Sequence, residues 1–198
     1  MKLYSYVVEH DNGFAPNPYF NVCSLAHCKF GKKRKNIVEM ANVDDWIIGT
    51  GGSSSRSAGK GKLVYAMRVD EKLSLKEYYK DKRFNSKKPN NSSFENSRGD
   101  NKSKFKNDIQ RFVLLSSHYY YFGNKAVKIP TRFRNHKTCA LEKKGPGYKS
   151  SFDEKYILNF VFWLEKNYSI GIIGVPCNLE TEEMYFTDKL KKKNGVCK

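Results

Sequence analysis

The chain has 198 residues, room for one ordinary domain and little more. Lys and Arg number 37 against 20 Asp and Glu; the formal net charge of +17 excludes a near-neutral surface and points to a polyanionic partner, nucleic acid or a nucleotide first. No stretch approaches the roughly 20 apolar residues of a membrane span, and the opening MKLYSYVVEHD lacks a secretory apolar run, so a cytoplasmic protein with reduced thiols is expected.

Residues 3–9, LYSYVVE, read as a strand, being β-branched and aromatic. Asp11–Pro18 then forms an irregular loop. Pro16 and Pro18 flank Asn17 and forbid a helix, since proline lacks an N–H and pushes the preceding residue out of the α region. A segment so irregular, yet rich in aromatic and polar side chains, has the profile of a ligand-handling loop. The mixed stretch Tyr19–Phe30 carries Cys23, His27 and Cys28. It runs into a basic cluster, Lys29, Lys32, Lys33, Arg34 and Lys35, which suits phosphates of a nucleic-acid backbone.

Residues 36–39 read as a short strand. Asp44-Asp45 makes an acidic turn into the apolar strand Trp46-Ile47-Ile48-Gly49-Thr50. A carboxylate turn, a strand and a small-residue exit fit a pocket wall, because glycine lets a ligand approach the backbone. Residues 51–62, GGSSSRSAGKGK, read as a flexible loop. They do not make a P-loop: the glycine spacing is wrong and Gly61 stands where Ser or Thr should follow Lys60. LVYAMRV, 63–69, is the clearest strand and leads to a helix opened by a capping box, Ser74 with Glu77.

Residues 85–107 are polar and read as a long surface loop or partly disordered insertion in a single domain spanning 1–198. RFVLLSSHYYYFG, 111–123, is a strand pair or a strand and turn. Alternation puts Tyr119 and Tyr121 on one face and Tyr120 and Phe122 on the other. Either both faces are core, or one is an aromatic platform for a base. AVKIP, 126–130, is a short strand stopped by Pro130, and 131–150 is basic and turn-rich. Residues 151–168 have the best helical period, with Tyr156, Phe160, Trp163 and Leu164 on one face, widened by Ile157 and Val161. Ser151 and Glu154 form a second capping box. IGIIGVP, 170–176, is a last short strand. Many short strands among two or three helices predict an α+β fold built on a small curved sheet or barrel.

Several side chains are candidates for chemistry. Cys23 and Cys28 lack a second nearby ligand pair, so no metal is expected there, and no cofactor. As nucleophiles they would draw on the adjacent basic run to lower a thiol pKa, with Asp11, Asp45 or Asp100 as general base. Alternatively they are packing residues. Arg98-Gly99-Asp100-Asn101 is either a turn or a segment folded over a site, with Asp100 reading a donor edge.

The ordered blocks D-x-GFAPNP, C-x4-C-K, DDWIIGTG, LVYAMRVDE with EYYKDKRF, RGDN, and YFG before a strand ending in Pro resemble the nucleotide-modification-associated domain family of the second type. That resemblance covers most of the chain. It implies a protein of phages or bacterial mobile elements associated with modified DNA bases. Asp44–Phe84 is also similar to PUA-like domains of the EVE and ASCH type, which implies a small β-barrel with two or three flanking helices and an aromatic-lined base pocket. The FAPNP–Cys loop and the RGDN segment depart from that pattern. The reading that follows is a binding module for a nucleotide or modified base, with Phe14, Asn17, Trp46, Thr50, Asp100 and Asn101 as ligand contacts. The alternatives are an enzyme acting on a nucleotide or DNA base through Cys/Asp chemistry, and a phage or defence interaction protein whose basic surface engages an acidic host protein.

Overall fold

The computed structural model describes residues 1–26, 36–87, 112–134, 140–143 and 145–178. The fold is α+β. Its larger sheet is built on β1 (Leu3–Val8), β3 (Trp46–Gly51) and β4 (Lys62–Arg68). β1 and β3 run parallel from Leu3 opposite Trp46 to Val8 opposite Gly51, and β3 pairs antiparallel with β4. All three are almost wholly buried, the near-continuous apolar pattern of strands covered on both faces. β7 (Tyr119–Tyr121) and β8 (Val127–Lys128) share the other edge of β4, β10 (Gly171–Ile172) extends β7, and β9 (Tyr148–Lys149) closes the side of β1. The sheet curls, helped by a register shift at Gly49/Thr50. Among the described residues its end strands β10 and β9 do not pair, so of the two expected forms it is the open curved sheet and not a closed barrel.

A smaller sheet, in the order β2 (Cys23–Leu25), β6 (Phe112–Ser116), β5 (Glu71–Ser74), covers one face. Tyr4, Tyr6, Ile47, Tyr65, Met67, Tyr119 and Tyr121 meet Cys23, Leu25 and Leu114 there, together with Ile37 and Val38 of α1 (Ile37–Met40). The opposite face carries Leu3, Trp46, Ile48, Ala66, Tyr120 and Phe122. It packs on Phe133 of α3 (Thr131–Arg134) and on Tyr156, Ile157, Phe160 and Leu164 of α4 (Glu154–Asn167). α2 (Leu75–Lys80) and Phe84 seal the far side of the small sheet. Both faces of the Tyr119–Phe122 run are therefore core, and no aromatic platform is exposed there. Among the described residues, no helix is long and apolar enough to cross a membrane.

Local departures from the sequence reading have identifiable causes. Residues 37–40 are helical because Asn36 and Glu39 form a reciprocal capping box. α4 is capped by Asp153, which accepts from the Tyr156 N–H at 2.7 Å, instead of by Ser151. The 111–123 stretch is a strand pair whose members join different sheets: Ser117 N–H and Oγ–H donate to Asp70, and the chain turns there from the small sheet to the large one. The glycine-rich loop is not a free tether. The carbonyl of Gly59 occupies the space of a Gly51 side chain, and Gly61 N–H donates to Glu142, itself paired with Arg134.

Candidate functional site

The loop that leaves β1 is fixed at both ends by buried polar groups. At its start lies Asp11, 4% exposed. The Tyr121 hydroxyl donates to Asp11 Oδ1 at 2.5 Å, and the Cys177 N–H donates to Oδ2 at 3.3 Å. Asp11 N–H donates to Asn178 Oδ1 at 2.9 Å, and Asn178 N–H returns a bond to the Asp11 carbonyl at 2.8 Å. These bonds latch Asp11 to Tyr121 of β7 and to Cys177 and Asn178, which follow β10. Burial raises the Asp11 pKa, although the Tyr121 and Cys177 bonds pull it back. Tyr121 is pushed well above the usual phenol range by burial and by Asp11. Burial and Asp11 likewise push the half-buried Cys177 thiol up to about 11.

The second anchor is Asn17. Its backbone exchanges two 2.9 Å bonds with Ser24. Its side-chain oxygen accepts from Lys87 Nζ at 3.0 Å and from Tyr19 N–H at 3.2 Å, and its carbonyl accepts from the same lysine at 3.1 Å. Tyr119 donates to the Pro18 carbonyl at 2.8 Å. Lys87 is almost wholly buried, so a cation and two tyrosines hold the loop from beneath. Past these anchors, Phe20 and Asn21 both adopt φ of 61°, a left-handed conformation that costs non-glycine residues about 1–3 kcal/mol each. Phe20 remains 47% exposed, with Lys87 Nζ 6.0 Å from the centroid of its ring. Phe14 is half-buried on the same loop.

The structure thus brings Asp11, Asn17 and Cys23 together around one loop, which also carries Phe14. Cys23 is completely buried beneath the loop, and desolvation pushes its thiol up to about 12 despite Lys87. A thiol held protonated there packs the core and is a poor nucleophile. Asp45 precedes the N-terminal end of β3, whereas β1 gives way to the loop at the other end of that strand pair. It accepts from Lys2 N–H at 2.7 Å and Asn42 N–H at 3.0 Å, which shapes the turn. Trp46 is buried on the α4 face and meets His118 edge-on at 5.4 Å between centroids. Thr50 is buried and donates to the Tyr6 carbonyl at 3.2 Å. The open space expected beside the strand-exit glycines is filled by protein: Gly49 by Tyr65 and Val8, Gly52 by Val7. Cys28, Asp100, Asn101 and the basic cluster Lys29, Lys32, Lys33, Arg34 and Lys35 lie outside the described residues, as does most of 85–107. Among the described residues, no group of His, Cys, Asp and Glu is arranged to hold a metal ion.

Tyr121 was expected only as core or as part of an aromatic platform, and Lys87, Cys177, Asn178 and Phe20 were not among the sequence candidates. Only Phe20 carried a local signal, as an aromatic beside Asn21 in a proline-broken segment. The others reach the loop across 70 to 167 positions of sequence.

A family model described as nucleotide modification associated domain 2 matches residues 1–111 and 101–183. The chain belongs to this family. No curated protein and no solved structure is significantly similar to it. In this nucleotide modification associated domain, the first matched segment contains Asp11, Asn17 and Lys87, and the second contains Tyr121, Cys177 and Asn178. The family's description ties the chain to nucleotide modification.

Proposed function

We propose that this domain binds a nucleotide, or a modified base within nucleic acid, against the loop Asp11–Asn21. The observation that carries the reading is the strained, exposed Phe20 on a loop whose own polar groups are anchored inward. A loop held this way loses little entropy on binding. Phe20 offers a ring for stacking, worth about 1–3 kcal/mol per base. Phe14 lies on the same loop, and the Asn17 amide nitrogen makes no hydrogen bond among the described residues, which leaves it as a donor to a base edge. The Lys29–Lys35 cluster would supply phosphate contacts without sequence information. A target base inside a duplex would first be flipped out at a cost of a few kcal/mol. The phage or mobile-element setting rests on the family resemblance. A Cys23 nucleophile is disfavoured by its burial and raised pKa.

Titration of a fluorescently labelled single-stranded oligonucleotide tests this. Phe20→Ala should weaken binding about tenfold, and a Phe14→Ala/Phe20→Ala double variant further. Wild-type affinity in both variants would remove the loop from the binding surface.

A further inference from the structure

A second feature lies on the other side of the molecule. A cleft of about 530 Å³ opens between α3 and the first half of α4, lined by Arg132, Phe133, Asp153, Lys155, Asn159 and Phe162, with Tyr156 at its base. This volume falls within the range of small-ligand sites. Its floor is rigid. The Phe133 ring meets Tyr156 edge-on at 5.6 Å, and the Tyr156 hydroxyl donates to the Phe133 carbonyl at 2.7 Å. The Arg132 guanidinium lies 4.9 Å from the centroid of the Phe133 ring. Among the described residues, no carboxylate pairs with Arg132 or Lys155. The one carboxylate in the lining, Asp153, is engaged in capping α4.

The wall is equally unusual. Lys155, Asn159 and Phe162 recur four and three residues apart and share one helix face. Phe162 is 66% exposed. Asn159 makes no side-chain hydrogen bond among the described residues. An exposed ring, with an amide and two cations that have no hydrogen-bond or carboxylate partner among the described residues, is the complement of a base, its polar edge and a phosphate.

We propose that this cleft is a second nucleotide-unit site, in which Phe162 stacks the base, Asn159 meets its edge, and Arg132 and Lys155 hold the phosphate. The inference rests on the nucleic-acid or nucleotide partner proposed above but not on the loop as its first site. The nucleotide unit is either free or part of a single strand.

The test titrates a labelled single-stranded oligonucleotide, with nucleoside monophosphates as competitors, against Phe162→Ala, Phe162→Tyr and Arg132→Gln. Both positions are at the surface, and circular dichroism checks the fold of each variant. Phe162→Ala should weaken binding roughly tenfold, and Phe162→Tyr should restore it, since it keeps the ring. Arg132→Gln should reduce the slope of log affinity against log salt by about 0.7, one phosphate on a single strand. Displacement by monophosphates at the same Phe162-dependent strength identifies a free nucleotide as ligand; competition by oligonucleotide alone identifies the strand. Unchanged affinity and salt slope in Phe162→Ala and Arg132→Gln overturn the inference, and so does a dimer that Phe162→Ala dissolves without affecting binding, which would make the face an interface between copies. If Phe20→Ala alone weakens binding, only the cleft fails. If the cleft variants alone weaken it, only the loop reading fails.

Discussion

Replacing Asp11 by Ala tests whether the loop is latched as described. The substitution leaves the Tyr121 hydroxyl, in a wholly buried ring, without its 2.5 Å acceptor, and removes the weaker bond from the Cys177 N–H. An orphaned buried donor costs about 1–3 kcal/mol, so the loss should be about 2–3 kcal/mol at acid pH. Its pH dependence has a definite sign. Burial raises the folded-state pKa of Asp11, so the carboxyl's contribution is complete below its unfolded value, roughly 3.9, and declines as pH rises through the folded value. The stability difference between wild type and Asp11→Ala should therefore be largest below about pH 4 and smaller at neutral pH. Urea unfolding at several pH values measures it, and the other titrating groups cancel in the difference. A difference below about 0.5 kcal/mol throughout, or one that grows with pH, would refute the latch.

The same variant should speed alkylation of Cys177, because it removes the carboxylate that helps hold that thiol up near 11; peptide mass mapping of iodoacetamide-treated protein reads the rate. Cys23, buried and pushed up to about 12, should resist the reagent until the protein unfolds, while Cys23→Ser leaves nucleotide binding intact. Gly51→Ala should cost about 3 kcal/mol in thermal or urea unfolding, since its Cβ would lie 2.0 Å from the Gly59 carbonyl. Gly59→Ala, with open space but φ of +96°, should cost only about 1–3 kcal/mol through backbone strain.

What the sequence revealed was mostly local. The strands at 3–9, 46–50 and 63–69 were legible because their residues are apolar, aromatic or β-branched, and the long helix because Tyr156, Phe160 and Leu164 recur with its period. The Ser74–Glu77 capping box was legible as a fixed spacing, and both of its bonds form. Residues 36–39 misled because Ile37 and Val38 favour strands, whereas the Asn36–Glu39 cap decides the backbone. The parallel pairing of β1 with β3, and the assignment of β6 and β7 to different sheets, depend on long-range burial that no local pattern encodes. The site divides similarly. The proline-broken loop announced itself through Asp11, Phe14 and Asn17. Trp46 and Thr50 looked like pocket residues because their neighbours are glycines and aspartates, but both faces of β3 are covered. Lys87, Tyr121 and Cys177 join the loop only through tertiary structure.

Photocrosslinking to a single-stranded oligonucleotide substituted with 5-bromouracil, followed by peptide mapping, tests the central claim most directly. Adducts should fall within residues 11–21 and disappear in Phe20→Ala. Efficient crosslinking with no adduct in that segment would contradict it.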